Sequence, residues 1–192
     1  LFLIKVVNNC NLDGEVIAEL EAGLIEALPG SRITFEKQLF NPPNNCFNSG
    51  RRQYNSTLLL SFAKTSFAKM LEEKVLLIES VDLYAGNLNF VFGEADPNTG
   101  FAIVSTYRLI PKFYGENSQK LFISRLLKEA IHELGHLFWL GHCRDSACVM
   151  SFSNSILDTD RKSQRFCEEC TVKLILYSLK RISLEGSSAA IS

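Results

Sequence analysis

HELGHLFWLGHC, residues 132–143, is the stretch on which the reading of this chain turns. His132 and His136 are four apart, so on a helix their imidazoles project from one face in consecutive turns and can share one ion. Leu121, Leu126, Leu127, Ile131 and Leu134 recur at helical spacing, which predicts a helix over 119–138. Glu133 is rotated by about 100° from His132, a position from which it can reach a water beside the ion without ligating. His142 follows His136 by six residues, and a continued helix would turn it roughly 240° away from the site at 100° per residue. The helix must therefore break first, and Gly141 is the expected turning point, because glycine tolerates positive φ at low cost. Three imidazoles and an open fourth position suit zinc, which acidifies water and polarises a carbonyl. All three histidines of the chain lie in this stretch.

Cys143 follows His142 directly, then come Cys148 and the pair Cys167 and Cys170 separated by two residues. This paired spacing matches a closed tetrahedral thiolate site for a second, structural zinc. Neighbouring residues of an extended segment point to opposite sides, so His142 can serve one ion and Cys143 the other. A redox dithiol at 167–170 is disfavoured, since Glu168 and Glu169 oppose a thiolate and the role of Cys143 and Cys148 would be left over. Cys10 and Cys46 are expected to be free thiols, as in a reducing compartment.

The chain of 192 residues fits one domain, and its formal net charge of −1 offers no global attraction to phosphate backbones or anionic membranes. Nucleic acid and membrane are therefore not expected as partners. The apolar opening 1–4 is too short for a signal core or a span, which points to a soluble, cytoplasmic protein, and a monomer is expected. The first residue is Leu, so a few residues can precede it, and the tail 186–190 reads as a frayed end.

Residues 1–7 read as a strand, Asp13 caps a helix that Pro29 and Gly30 stop, and 31–39 alternates as a second strand. A parallel pair with a helical crossover is the simplest topology, because antiparallel strands would not need the helix. Residues 55–73 are helical in composition, while 75–78, 89–92 and 101–107 read as strands, the last two forming a hairpin across the turn at 96–100.

Taken together, these residues resemble the archaemetzincins, a branch of the metzincin metallopeptidases, whose pattern is HExxHxxGxxH followed by Cys, a second Cys, a Met two residues later and a distant CxxC. That pattern falls here on His132, Glu133, His136, His142, Cys143, Cys148, Met150, Cys167 and Cys170, and 52–56 (RQYNS) and 81–96 (VDLYAGNLNFVFGEAD) look like the family too. The resemblance implies an α/β (α+β) fold with a mixed twisted sheet over helices. It further implies an upper lobe (1–138) with the active-site helix, a cleft, and a zinc-stapled lower lobe (139–192) with a Met turn at Met150. By the same analogy 101–107 would be the upper edge strand, able to pair with an extended peptide.

Trp139 stands where the family motif has glycine, and a left-handed Trp there would cost about 1–2 kcal/mol. The turn is accordingly expected at Gly141, or without positive φ at 139, and the Trp139 side chain is expected in the core rather than in the cleft wall. Phe152 stands where some other metzincins place a Tyr, so no oxyanion-stabilising side chain can be named. The function expected is zinc-dependent peptide hydrolysis with Glu133 as general base and two zinc ions per chain, acting on a peptide or protein substrate. The competing readings are a catalytically inactive zinc-stabilised binding module, in which Trp139 spoils the active site, and a hydrolase of some other amide.

Overall fold

The computed structural model describes residues 2–38 and 41–188, with side chains through residue 180. β1 (Leu3–Asn8) runs into α1 (Gly14–Ala27), whose first turn is capped by the Asp13 carboxylate accepting from the Val16 N–H at 2.9 Å. β2 (Arg32–Lys37) then lies parallel to β1, the topology the intervening helix requires. The strand expectations at Leu1 and Leu39 lie outside the described residues.

Two short strands, β3 (Phe47–Asn48) and β4 (Gln53–Asn55), lead into α2 (Ser56–Ser66), capped by Asn55. The helix expected over 55–73 stops seven residues early. Phe67 turns into the core while Leu71 is 90% exposed, so the apolar residues beyond 66 do not form one helical face. β5 (Glu73–Glu79) is buried along its whole length and pairs with β1, in parallel, on the side away from β2. β6 (Leu83–Tyr84) joins β4 and β3 in a separate three-stranded sheet.

The hairpin is β7 (Gly93–Asp96) and β8 (Phe101–Ser105), paired antiparallel, with β8 parallel to β5. The first of these strands therefore begins where the expected strand 89–92 ends. The main sheet has the order β2-β1-β5-β8-β7. β8 is thus not the edge expected for 101–107: its five residues are all buried and suit an interior position, and the half-exposed β7 forms the edge instead.

Side chains alternate across this sheet. Ile4, Val6, Leu76, Ile78, Ala102 and Val104 join a core with α1 and with α3 (Gln119–Leu137), whereas Val7, Val75, Leu77 and Ile103 join a second core with α2. The fold is therefore a mixed α/β sheet with helices on both faces. Beyond α3 the chain forms α4 (Ile156–Arg161) and α5 (Glu168–Ser188). Residues 186–188 of the expected frayed tail continue α5, and 189 and 190 lie outside the described residues. Among the described residues no helix is long and apolar enough to cross a membrane.

Candidate metal and catalytic site

α3 is buried along its C-terminal half, so His132 and Glu133 are carried into the protein while His136 emerges into a cleft of about 770 Å³. β7 and the segment before it form one wall of the cleft, and residues 139–142 and 152–154 form the other. The floor is Glu129, His132, Glu133 and His136.

The helix ends at Leu137, and the chain turns two residues before the expected position. The Trp139 N–H donates to the His136 carbonyl at 2.9 Å and the Leu140 N–H to the Gly135 carbonyl at 3.1 Å, the double bond pattern of a left-handed helix stop. Trp139 itself is the left-handed residue, with φ of 64°, and Gly141 is not among the positive-φ glycines. The expectation of a turn at Gly141 is thereby corrected. Two capping hydrogen bonds and the burial of Leu140 offset a backbone cost of about 1–2 kcal/mol at Trp139. Nor is Trp139 a core residue, being 60% exposed at the lip of the cleft.

This turn returns His142 to the helix. The ligand atoms of His132, His136 and His142 all lie within 4.8 Å of one another. The Nε2 atoms of His132 and His136 are 3.1 Å apart, close to the spacing of about 3.3 Å that a tetrahedral ion with 2.0–2.1 Å bonds to nitrogen demands. His132 Nδ1 is 2.8 Å from the Val149 carbonyl and His136 Nδ1 is 2.7 Å from that of Leu140. A carbonyl can only accept, so each Nδ1 carries the proton and each Nε2 offers a lone pair to the site. Burial lowers the basicity of all three imidazoles, and Lys162 acts in the same direction, which favours the neutral form a metal requires.

Glu133 lies beside His132 at 4% exposure, and burial pushes its carboxyl well above the usual range, with Glu129 adding to the effect and Lys162 opposing it. Space for it is made by Gly93 of β7, where a Cβ would stand 2.6 Å from Glu133 Oε1. Met150 is fully buried, and its sulfur fills the place a side chain at Gly135 would need, between the two helical histidines. Phe152 places its ring 5.0 Å from that of His142.

On the far side of His142, Cys143, Cys148, Cys167 and Cys170 bring their sulfurs within 4.8 Å of one another, none of them in a disulfide. Cys143 and Cys167 are 3.7 Å apart, the separation expected of thiolates at 2.3 Å from a tetrahedral zinc. Cys148 Sγ accepts the N–H groups of Met150 and Cys167 at 3.4 and 3.3 Å. Burial pushes the Cys148 and Cys170 thiols up, an effect that a bound cation would oppose, whereas the Cys170 N–H holds Cys167 down at the start of α5. Both donor sets fit zinc. Cys10 and Cys46 are buried and unbridged.

Sequence reading missed Glu129 and Lys162, whose side chains meet behind the histidines, and Gly93. Glu129 lies one turn before Glu133 on the same helix face, a spacing that was available as a signal. Nothing near Lys162 in the sequence pointed to the site.

A mixed α/β fold with three imidazoles and a buried glutamate converging in one cleft defines a metallopeptidase centre of the HExxH kind. Peptidase family M54 matches residues 29–175. The chain is 49% identical to an archaemetzincin of Methanocaldococcus jannaschii over 153 residues, covering 79% of this chain and 78% of that protein. It is 41% identical to an archaemetzincin of Saccharolobus islandicus over 172 residues, covering 89% and 92%. The crystal structure of an archaemetzincin from Methanopyrus kandleri superposes with a TM-score of 0.79 at 34% identity, covering 92% of this chain and 94% of that one. The chain belongs to peptidase family M54. It is a zinc-dependent peptidase, and the reading as an inactive binding module is not favoured.

Proposed function

We propose that His132, His136 and His142 hold the catalytic zinc, that Glu133 is the general base, and that Cys143, Cys148, Cys167 and Cys170 hold a second zinc with a structural role. The reading rests on the convergence of three imidazole donors beside one buried carboxylate on the floor of an open cleft. When bound at the three histidines, zinc supplies Lewis acidity toward a carbonyl and lowers the pKa of water toward about 7.

Glu133 takes the proton of the attacking water and delivers it to the leaving amine. Its burial suits this, since a carboxylate made more basic accepts a proton nearer neutral pH. The carbonyls of Val149 and Leu140 keep the imidazoles in the tautomer and orientation that ligation needs. An extended peptide adds to the edge strand β7 above this floor, with its scissile bond over Glu133. The cysteine cluster clamps the Met150 turn to the start of α5, which fixes the wall formed by residues 139–142 and 152–154.

Glu133→Gln tests the assignment. The variant should keep its zinc by elemental analysis and lose turnover on peptides by about 10²–10⁴-fold. Hydrolysis at the parent rate would remove Glu133 from the role of base.

A further inference from the structure

We propose that Trp139 selects the substrate: with Phe152 it forms an aromatic seat for a bulky apolar side chain flanking the scissile bond. This inference rests on the peptidase reading and names the substrate class of the same cleft. Trp139 holds a helix stop that glycine occupies in the family motif, and it does so with φ of 64°. The left-handed conformation is costly for any side chain with a Cβ, and burial of the indole does not offset it here, because the indole is 60% exposed. Core packing therefore does not account for it.

What the indole does face is the cleft. Trp139 lies three residues from each of His136 and His142, on the wall it shares with Phe152, which is 48% exposed and stacks edge-on at 5.0 Å against His142. Leu88 and Phe90 line the opposite wall, Leu88 also exposed. Exposed aromatic and aliphatic surface thus lines both walls of the cleft, against the general pattern in which such residues are scattered singly. Among the described residues no lysine or arginine lines the cleft, and of its acidic groups Glu94, Glu129 and Glu133 only Glu129 has a cationic partner, Lys162 behind the floor. No cationic side chain stands beside Trp139 and Phe152 on that wall to receive an acidic residue, whereas an apolar ring would cover surface already exposed to water.

Trp139 is also the sole tryptophan of the chain, so its emission reports the seat directly. The test uses two peptides with free amino ends, Ala-Ala-Phe-Ala-Ala and penta-alanine. On the zinc-loaded Glu133→Gln chain, the Phe peptide should shift Trp139 emission to the blue and saturate at a concentration at least about tenfold below that of penta-alanine. On the active chain, kcat/KM for the Phe peptide should exceed that for penta-alanine by about 10–100-fold, with cleavage at a bond next to Phe in the product masses.

Trp139→Gly should reduce that ratio at least about tenfold while melting no lower than the parent, because glycine relieves the backbone strain. Trp139→Phe, which keeps a ring, should preserve most of the ratio. Equal kcat/KM for the two peptides in the parent, or a preference that survives in Trp139→Gly, would overturn the seat while leaving the peptidase intact. Failure of the parent to hydrolyse either peptide would count against the peptidase reading, and the emission titration would still decide whether the indole prefers Phe.

Discussion

Lys162 Nζ stands 2.9 Å from Glu129 Oε1 with side-chain exposures of 1% and 3%, so the helix that carries His132 and Glu133 is tied to the end of α4 by an ion pair away from water. Thr159 donates to the same carboxylate at 3.0 Å. Lys128, the residue before Glu129, donates to the carbonyls of Thr159 and Asp160, and one turn earlier Arg125 makes a two-pronged contact with Asp160. Lys162→Met strands Glu129 as a buried unpaired charge and is expected to cost about 3–5 kcal/mol. At about 2–4 °C per kcal/mol for a chain of this size, the melting temperature should fall by roughly 10 °C. The pair replaced together, Glu129→Gln with Lys162→Met, should recover most of the loss. A single variant melting with the parent would show that the pair is not desolvated in solution.

A second buried acid gives a pH dependence. Glu79, at the end of β5, is 1% exposed and receives one side-chain hydrogen bond, from Asn9 Nδ2 at 2.7 Å. Burial pushes its carboxyl from 4.5 up to about 7. The folded chain thus holds a proton that the unfolded chain has released, and stability is full below pH 4.5 and falls as pH rises through 7. With 1.36 kcal/mol per pH unit over this interval, the loss amounts to about 3 kcal/mol. Urea midpoints at pH 5 and pH 8 should show that drop in the parent and little of it in Glu79→Gln, whose amide oxygen still accepts from Asn9. An equal drop in both chains would assign the pH dependence to other groups.

How much of this was legible in advance follows from the range of the interactions involved. The ligand spacing on α3 and the cysteine pairs were readable because helix periodicity and donor chemistry are local properties. So was the β1-α1-β2 crossover, with Asp13 as its cap. Trp139 was misread because propensity alone places the left-handed turn at Gly141, whereas hydrogen bonds to the carbonyls of Gly135 and His136 place it at 139. The edge was assigned to 101–107 although that run is apolar on both faces, the mark of an interior strand. β3, β4 and β6 are two or three residues long, too short to carry a period. The Lys162 to Glu129 pairing spans 33 residues and leaves no trace in either neighbourhood.

Gly93 is the residue that lets β7 approach Glu133, the proposed general base. A Cβ there would stand 2.6 Å from both Glu133 Oε1 and the Ile103 carbonyl, and the backbone atom cannot swing away as a side chain can. Gly93→Ala should therefore displace Glu133 or open the β7 to β8 ladder. The expected result is a loss of kcat of at least about tenfold, since displacement by about 1 Å costs up to 10²-fold in a positioned group. Zinc content should be unchanged, because His132 and His136 are anchored from the other side by Val149 and Leu140. Unimpaired turnover in the variant would mean that Glu133 has room the structure does not show.

His142 and Cys143 are adjacent in sequence and face different donor sets, so the two proposed metal sites can be separated by single substitutions. Elemental analysis of the parent should give two zinc ions per chain, and His142→Ala should retain the one held by thiolates while hydrolysis is lost. Cys148→Ser removes the sulfur that accepts from Met150 and Cys167, so it should lower the zinc count, loosen the turn around Val149 and Met150, and melt well below the parent. The loss should reach the other site as well, because Val149 supplies the carbonyl that orients His132. Cys148→Ser should for that reason lose more zinc to a mild chelator than His142→Ala does. Two zinc ions retained in Cys148→Ser would remove the four-cysteine site from the proposal while leaving the three histidines untouched.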